Sequence, residues 1–394
     1  MKRIFVREKY NTKKMINILT YNDIDPQQWQ SLVERSPYAT WFQTPEAYQF
    51  YAANPEEMVL FVFAVAEEAK GTENGEADMP ASRLIASSPY RLKAVCIGYI
   101  TRERSVLKQF FTRRAIIIGG PLLAEDATDD EVAALLKAVK ECKVESLKCK
   151  GTEDSKADNQ AFRLLPLTSR LKKPIYIETR NFHDYSKWRT VFEANGFAYQ
   201  PHLNIQVACT ATHTMSEQRN RQVKKAMKNG VKIVDPQSEQ EIREWYRILK
   251  QLYRQKVRTP LWSEAFFLQF YRNGLGKYLL VKFEGKVIGG MMCPIFAGKA
   301  IYEWYVCGLD EEYREQYPSV MATYATIEYA KQNGIPMFDF MGAGVPDKPY
   351  GVRDFKMEFG GEVVKYGRYL HIRKPLLYKI GEWGVNILKL GKIW

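Results

Sequence analysis

The sequence predicts an α/β (α+β) fold in which two similar domains follow one another, each a mixed, twisted sheet flanked by helices. Apolar residues recur with helical and strand periods, in alternation, along most of the 394 residues. Two stretches also match: in both, an apolar strand, a short helix, a glycine and an alternating strand follow in this order, with Gly196 and Gly360 as the glycines. A chain of this length is enough for about two or three domains with cores of their own.

The first part of the chain predicts two helices, a three-stranded meander and a longer helix. We expect helices at 25–34, 45–53, 126–143 and 185–194, and strands at 59–66, 92–100, 115–122, 175–179 and 197–208. The helix at 126–143 carries acids in its first turn and lysines in its last, as the helix dipole favours. Residues 1–172 form the predicted first domain, and residues 372–394 are expected to pack back on it.

The second part repeats this order over residues 173–371, the predicted second domain, whose first strands at 173–209 could also be shared with the first domain. We expect helices at 216–229, 239–256, 263–273 and 319–333, and strands at 278–282, 286–295, 300–307, 337–340 and 362–372. Glu284-Gly285 predicts a type I′ hairpin turn. A short helix is expected just before Gly360.

Lys356 breaks the apolar pattern of that short helix. It lies on the same helical face as Val352, which it follows by four positions, and Phe355 and Phe359 are assigned to that face too. A lysine there either lays its stem over apolar surface and extends its ammonium to water, or it places its own ammonium as a cation at the rim of a pocket. Aligning Gly196 with Gly360 puts Phe192 opposite Lys356, so packing alone has an apolar solution and a functional lysine is favoured.

Several motifs resemble the Fem family (FemABX) of peptidoglycan bridge-forming aminoacyltransferases, which have a tandem GNAT fold. They are Ser36-Pro37-Tyr38 with Gln43, Arg221-x-x-Lys224-Lys225-Ala226-x-x-x-Gly230-Val231, Tyr317-Pro318, Phe338-Asp339-x-x-Gly342 and Tyr350-Gly351-Val352-x-x-Phe355-Lys356-x-x-Phe359-Gly360. The resemblance covers nearly the whole chain. It implies transfer of an amino acid from aminoacyl-tRNA to the peptide amine of a peptidoglycan precursor, a nucleotide- or lipid-linked muramyl peptide.

The same resemblance implies roles for individual residues. Lys356 would stabilise the tetrahedral oxyanion of acyl transfer, and Phe355 would shape the pocket beside it. Independently of the resemblance, Asp339 lies at the end of a predicted buried strand beside Gly342, where it would orient the substrate amine or act as a base, unless it caps the loop that follows. The expected substrate-binding residues are Arg258, Tyr305, Tyr350 and Arg353, although a surface charge at Arg258 and a core strand aromatic at Tyr305 are open alternatives.

Transfer RNA is expected to contact the basic helix in the second half. The candidate phosphate contacts are Arg219, Arg221, Lys224, Lys225, Lys228 and Lys232, although a merely solvated basic face fits equally well. The chain departs from the family at Tyr51, where other members have a lysine that holds the diphosphate of the precursor. The identity of the acceptor is therefore open.

Coenzyme A is not expected as a donor, and aminoacyl-tRNA takes the place of a cofactor. A GNAT domain binds the CoA pyrophosphate on bare N–H groups of a glycine-rich turn before its long helix. The matching segments, 313–320 and 123–130, contain no glycine; Pro318 removes one donor from the first, and the second is acidic. The four histidines show no metal-binding spacing, so no metal site is predicted.

Composition and charge limit the partners and the compartment. The net charge of +13 favours anionic partners, and six scattered cysteines without a C-x-x-C pair indicate free thiols in a reducing compartment. Without a signal peptide or an apolar span, the expectation is a cytoplasmic protein, and residues 375–394 either pack on the body or lie on the inner face of the membrane. The alternative functions are acyl transfer to another envelope polysaccharide or lipid, and non-catalytic binding of nucleic acid or membrane.

Overall fold

The structure is a computed structural model that describes residues 2–6, 14–68, 90–102, 112–142, 173–257 and 259–390. The chain divides into two compact units, of which unit 1 comprises residues 1–200 and 368–394 and unit 2 comprises residues 201–367. This division differs from the boundary at 172/173 expected from the sequence, because the strands at 176–181 and 198–200 belong to the sheet of unit 1.

Unit 1 has a mixed sheet with the strand order β1-β2-β3-β4-β5-β7-β17-β8, and β6 pairs with β4. Its strands are β1 Lys2–Val6, β2 Lys14–Thr20, β3 Met58–Glu68, β4 Tyr90–Thr101, β5 Arg114–Gly119, β6 Leu122–Leu123, β7 Tyr176–Asn181, β8 Ala198–Gln200 and β17 Arg368–Ile372. Its helices are α1 Pro26–Arg35, α2 Pro45–Ala52, α3 Asp129–Lys140, α4 Arg189–Ala194 and α10 Pro375–Leu390. Strands β5 and β7 are parallel, as expected where a helix connects them.

Unit 2 repeats the arrangement, with the strand order β10-β11-β12-β13-β15-β9-β16 and β14 paired with β12. Its strands are β9 Asn204–Ala208, β10 Lys232–Val234, β11 Gly276–Phe283, β12 Lys286–Phe296, β13 Ala300–Tyr302, β14 Tyr305–Gly308, β15 Met337–Asp339 and β16 Glu362–Val364. Its helices are α5 Glu217–Lys228, α6 Glu239–Leu252, α7 Glu264–Arg272, α8 Pro318–Gln332 and α9 Gly351–Met357. The parallel pair is now β13 and β15, and the core lies between these strands and α5 and α8.

Three strands that the sequence predicts as continuous are each broken in two. The predicted strand at 197–208 divides at Pro201 into β8 and β9, and the one at 362–372 divides into β16 and β17, with Gly367 at a φ of +65°. Proline has no N–H to donate to a strand ladder, and the φ of Gly367 favours glycine, so each strand is interrupted at these positions. Both breaks coincide with a change of unit. The strand at 300–307 divides at Glu303 and Trp304, beside the candidate site.

The C-terminal helix α10 contacts unit 1 through Tyr378, whose ring meets the Tyr176 ring edge-on at a centroid distance of 5.3 Å. Three of its apolar side chains nevertheless face water: Leu376, Ile380 and Trp383 are 73%, 43% and 70% exposed. Within the described ranges no helix has both the length and the apolar character needed to cross a membrane. The cysteines in these ranges are buried free thiols; Cys149 lies outside the described residues.

Candidate active site

The short helix α9 positions the lysine that the sequence singles out. Helix α9 follows Tyr350, whose carbonyl accepts hydrogen bonds from the N–H groups of Arg353 and Asp354, and it is followed by Gly360 at a φ of +78°. Lys356 is 8% exposed, whereas Val352, which the sequence places on the same face, is 44% exposed. The lysine therefore faces the interior of unit 2, and its ammonium does not extend to water.

The Lys356 ammonium donates to three acceptors. They are the carbonyl oxygens of Phe340 and Gly342, at 2.9 and 3.0 Å, and Oε1 of Glu303, at 2.8 Å. An ammonium group has three N–H donors, so all of them are engaged. The charge also lies 5.0 Å from the centroid of the Phe340 ring, a cation–π distance. Lys356 thus connects the chain segment after β15 to Glu303, which lies between β13 and β14.

Glu303 is a site residue that the sequence reasoning missed. It lies in the break between β13 and β14, is 7% exposed, and its own N–H donates to the Asp339 carbonyl at 2.9 Å. Burial raises the pKa of the Glu303 carboxyl, and the charge of Lys356 opposes this rise. An acid within an otherwise apolar strand pattern was the available signal, since such a residue is seldom buried without a partner.

Asp339 ends β15 as a fully buried carboxylate with several donors. Its oxygens accept from the Asn204 side-chain amide at 2.9 and 3.0 Å, from the Gln206 side-chain amide at 2.8 Å and from the Met341 N–H at 2.6 Å. Burial raises the pKa of Asp339, and these hydrogen bonds lower it. The bond to Met341, whose φ is +56°, closes a turn, so the geometry shows the capping contact that the sequence left as an alternative.

Arg353 and Tyr350 shape the loop between β15 and α9. The Arg353 guanidinium donates to the carbonyl oxygens of Ala343, Val345 and Lys348 at 2.9, 2.6 and 3.1 Å. Tyr350 is 43% exposed, and its ring lies against Gly344, where a Cβ atom would come within 2.9 Å of the ring. Arg353 therefore holds the loop through backbone carbonyls, while Tyr350 is accessible.

Phe355 contacts helix α5. The Arg219 guanidinium lies 4.5 Å from the centroid of the Phe355 ring, and its Nε is 3.2 Å from the Glu358 carboxylate. Arg219 is only 7% exposed, and its guanidinium contacts Gln222 and Glu358, which makes it less accessible than the other candidate phosphate contacts on this helix. Its ion pair with Glu358, whose side chain is 33% exposed, ties α5 to the end of α9.

The remaining residues that the sequence analysis singled out do not contact Lys356 in the described part of the chain. Tyr305 is half-buried among rings, 5.0 Å from that of Phe267 and 5.7 Å from that of Trp304. Arg258 lies outside the described residues. In unit 1, Tyr51 is buried and its ring packs on Tyr99 at 5.8 Å, so this position provides no cation.

The exposed face of α5 carries the remaining basic residues. Arg221, Lys224, Lys225, Lys228 and the following Lys232 are exposed. Arg221 pairs with Glu217 at 3.3 Å and Lys225 with Glu315 at 2.7 Å. In the part of the chain that the structure describes, Lys224 and Lys228 have no ion-pair partner, which leaves two unneutralised charges one helical turn apart.

The start of α8 is closed by a carboxylate. The N–H and the hydroxyl of Ser319 both donate to Asp310, at 3.0 and 2.5 Å, and the preceding Pro318 has no N–H. Tyr317 adopts a φ of +47°, which turns the chain sharply into the helix. An anion is therefore already present where a helix N-terminus would otherwise attract one.

The serine-tyrosine-glutamine motif near the N-terminus serves the core of unit 1. The Ser36 hydroxyl donates to the Leu123 carbonyl at 2.5 Å, and the Tyr38 hydroxyl accepts from the Trp188 indole at 3.0 Å. The Gln43 amide donates to the carbonyls of Ile97 and Ile118, both at 3.0 Å, and so bridges β4 and β5. These contacts give the motif a structural role within unit 1.

The chain is similar to one protein-family model and to several solved structures. Residues 215–357 match the family model described as an acetyltransferase (GNAT) domain. No curated protein matches the sequence. Among solved structures, FemX is similar with a TM-score of 0.59 and 13% identity, over 92% of this chain and 99% of that chain.

A second solved structure has the same arrangement. It is the C-terminal domain of a putative lysylphosphatidylglycerol synthetase from Agrobacterium fabrum, with a TM-score of 0.50 and 8% identity, over 91% of this chain and 95% of that chain. Identities this low establish the fold alone. The tandem GNAT fold expected from the motifs is thereby confirmed: the chain has the fold of FemX, and residues 215–357 of its second unit match the GNAT domain model.

Proposed function

We propose that the chain is an aminoacyltransferase that moves an amino acid from aminoacyl-tRNA to the peptide amine of a peptidoglycan precursor. Three lines support this reading: the Fem-like motifs, the similarity in fold to FemX, and the GNAT domain model over residues 215–357. The proposal makes aminoacyl-tRNA the donor and a muramyl peptide the acceptor.

The observation that carries the choice of donor is the carboxylate of Asp310 at the start of α8. It accepts from Ser319 where the pyrophosphate of CoA would need free N–H groups, and its charge would repel that pyrophosphate. An RNA donor does not need this turn. Its phosphates can instead meet the exposed cations of α5, of which Lys224 and Lys228 are not neutralised by any described acid.

In the proposed reaction, the peptide amine attacks the ester carbonyl of the aminoacyl-tRNA. A C–N bond forms, the C–O bond to the ribose breaks, the amine loses a proton and the ribose oxygen gains one. The intermediate carries a negative oxygen, and the buried charge of Lys356 would stabilise it through space or by exchanging one carbonyl partner for that oxygen. Attack by Lys356 itself is disfavoured, because an ammonium paired with Glu303 has no free electron pair.

The test is transfer by the purified full-length chain. Radiolabelled aminoacyl-tRNA would be incubated with a nucleotide-linked or a lipid-linked muramyl pentapeptide, and labelled product would be measured. We expect transfer to one acceptor and no acetylation from acetyl-CoA. Absence of transfer from every aminoacyl-tRNA would overturn the proposal, and acyl transfer to a polysaccharide or lipid instead would favour the alternative envelope function.

A further inference from the structure

Three charged side chains lie together in the interior of unit 2, and two of them are acids. They are Glu303 between β13 and β14, Asp339 at the end of β15 and Lys356 on α9, which are 7%, 0% and 8% exposed. The N–H of Glu303 donates to the carbonyl of Asp339 at 2.9 Å, so the two acids belong to neighbouring chain segments. We call these three residues the charge cluster.

The two acids of the charge cluster share one cation. Lys356 pairs with Oε1 of Glu303 at 2.8 Å, whereas the donors to Asp339 are two side-chain amides and a backbone N–H, none of which carries a net charge. Within the described ranges, no further ion pair involves any of the three residues. When all three are ionised, the charge cluster therefore holds one negative charge in excess, in an interior where unpaired charge is costly.

The excess charge acts on Glu303. Burial raises the pKa of its carboxyl, Lys356 lowers this pKa, and the charge of Asp339 raises it again. The neighbouring carboxylate thus opposes the ionisation of Glu303. A second cation beside Glu303 would favour its ionised form in the way that Lys356 already does. The electrostatics of the charge cluster therefore suit one more positive group.

Glu303 also has an oxygen available for such a group. Its Oε1 accepts from Lys356, but its Oε2 accepts no hydrogen bond in the part of the chain that the structure describes. A buried carboxylate with one oxygen left without a donor has given up contacts with water and not replaced them. A donor that reaches Oε2 would complete its hydrogen bonding.

We propose that Oε2 of Glu303 binds the α-ammonium group of the amino acid carried by the donor. The inference rests on the proposed function, which supplies an aminoacyl ester, and it names the residue that distinguishes this ester from a simple acyl ester. In an aminoacyl ester, two carbon atoms separate the α-ammonium nitrogen from the carbonyl oxygen. An ammonium at Oε2 therefore brings the carbonyl close to Lys356, whose Nζ lies 2.8 Å from Oε1. Glu303 thereby selects the donor, while Lys356 acts on its carbonyl.

The test compares two donors that differ only in this group. Nitrous acid converts alanyl-tRNA to lactyl-tRNA, in which a hydroxyl replaces the α-ammonium on the same tRNA and the same side chain. Alanine is the probe because its methyl side chain demands little of a pocket; if another amino acid is transferred faster, the same pair is made from it. We expect wild type to use the alanyl donor with a kcat/KM at least about tenfold higher, after correction for the reactivity of each ester with hydroxylamine, as one charge-assisted contact implies.

A variant of the full-length chain then assigns the preference to its residue. Glu303→Gln retains the shape of the side chain and removes its charge, and it should reduce the preference by about tenfold or more. Both donors are measured on one preparation, so any loss of folded protein cancels in the ratio. Glu284→Gln, at an exposed acid between β11 and β12, is the matched control and should keep the wild-type preference.

A glutamate that only holds Lys356 in place predicts a different result. Glu303→Gln would then lower transfer from both donors equally, and the ratio would not change. That outcome would overturn the inference. Equal use of the two donors by wild type would overturn it without any variant.

A binding measurement separates the inference from the proposed function. Alanyl-tRNA and lactyl-tRNA with a stable amide in place of the ester would be titrated against the full-length chain, without an acceptor, and their Kd values compared. If the alanyl form binds more tightly and Glu303→Gln abolishes the difference, while no aminoacyl-tRNA serves as donor in transfer, only the proposed function fails. If transfer occurs and the two forms bind equally, only the inference fails. Binding of neither form also overturns the inference.

Discussion

At the scale of single residues, the charge of Lys356 has two separable consequences. It balances Glu303 inside unit 2, and it ties the carbonyls of Phe340 and Gly342 in place. Removing one partner of a buried ion pair typically costs about 3–5 kcal/mol, because the other charge remains buried without compensation. Loss of activity in a single variant would thus not distinguish chemistry from folding.

A double variant makes that distinction. Lys356→Met should lower the unfolding midpoint and abolish aminoacyl transfer, whereas Lys356→Met with Glu303→Gln should recover most of the stability and none of the activity. Thermal unfolding and initial transfer rates would be measured on both. Exposed Lys286, at the start of β12, provides the control as Lys286→Met, which should behave as wild type. Full activity of the double variant would refute the assignment of Lys356.

The apolar helical face on which Lys356 lies was predictable from the sequence, but the burial of its ammonium and the partner of that ammonium were not. The helical pattern placed this lysine on an apolar face, and the Phe192 alignment favoured a functional lysine at the rim of a pocket. Glu303 lies 53 positions earlier in the chain, and although an acid in an apolar strand pattern is a local signal, it does not reveal which distant cation the acid meets. Arg353 is also instructive, since it was expected to bind substrate, whereas its guanidinium donates from the first turn of α9 to carbonyls of the preceding loop.

At the scale of elements, helix α10 has two faces with different surroundings. Tyr378 packs on Tyr176, while Leu376 and Trp383 remain exposed. Residues 373–394 contain five basic residues and one acid. An exposed apolar stripe beside positive charge matches the surface of an anionic bilayer, so we propose that this helix contacts the membrane.

Vesicle sedimentation would test this contact. The chain should bind vesicles that contain phosphatidylglycerol more tightly than neutral phosphatidylcholine vesicles. Replacing Leu376 and Trp383 by Glu should weaken binding by at least about tenfold, since burying a large apolar side chain is worth about 1.5–3 kcal/mol. Met227→Glu, at an exposed apolar position on α5, should have no effect. Equal binding to both vesicle types, or no loss in the Leu376 and Trp383 variant, would contradict the contact.

The element boundaries show where sequence patterns mislead. Period-two alternation correctly predicted strand conformation at 197–208 and 362–372, and it could not reveal that each segment serves two sheets. Alternation reports which face is buried and not which sheet buries it. The hairpin at Glu284 and Gly285 was confirmed, with φ values of +50° and +78°, because turn chemistry is local.

At the scale of the whole molecule, the repeated plan is visible in both units. Gly196 and Gly360 follow their short helices at φ values of +79° and +78°. In unit 1 the aligned Phe192 stacks on Tyr369 with a centroid distance of 4.2 Å, whereas unit 2 places the bonded ammonium of Lys356 at this position. The same framework thus holds an aromatic core in one copy and a buried ion pair in the other.

The carboxylates of the two copies should respond differently to acid. The Glu178 pKa of about 2 is below the ordinary value of 4.5, so its stabilisation is complete above about pH 4.5 and is lost as the pH falls towards 2. Burial raises the pKa values of Glu303 and Asp339, so these two groups lose no stabilisation on acidification. Acid should therefore weaken unit 1 through Glu178.

Comparison of Glu178→Gln with wild type would check this. At pH 7 the variant should be less stable by about 3 kcal/mol, because Arg180 and Arg368 lose the buried carboxylate with which they pair. The difference should shrink as the pH is lowered from 5 to 3, measured by thermal unfolding. Glu193→Gln, which removes an exposed helix pair, should show little difference at any pH. A constant difference across this range would refute the role of the ionised carboxylate.

The two chain breaks also have a consequence for biosynthesis. Unit 2 is one continuous segment, 201–367, whose ends meet where the Gly367 N–H donates to the His202 carbonyl at 3.2 Å. Strand β17 lies between β7 and β8, so the sheet of unit 1 lacks an interior strand until residues 368–372 have left the ribosome. Domains usually fold as units during translation, from the N-terminus onward. Here unit 2 begins later in the chain than unit 1, yet all of its strands are synthesised before β17. The sheet of unit 1 is therefore completed only after the whole of unit 2 has been synthesised.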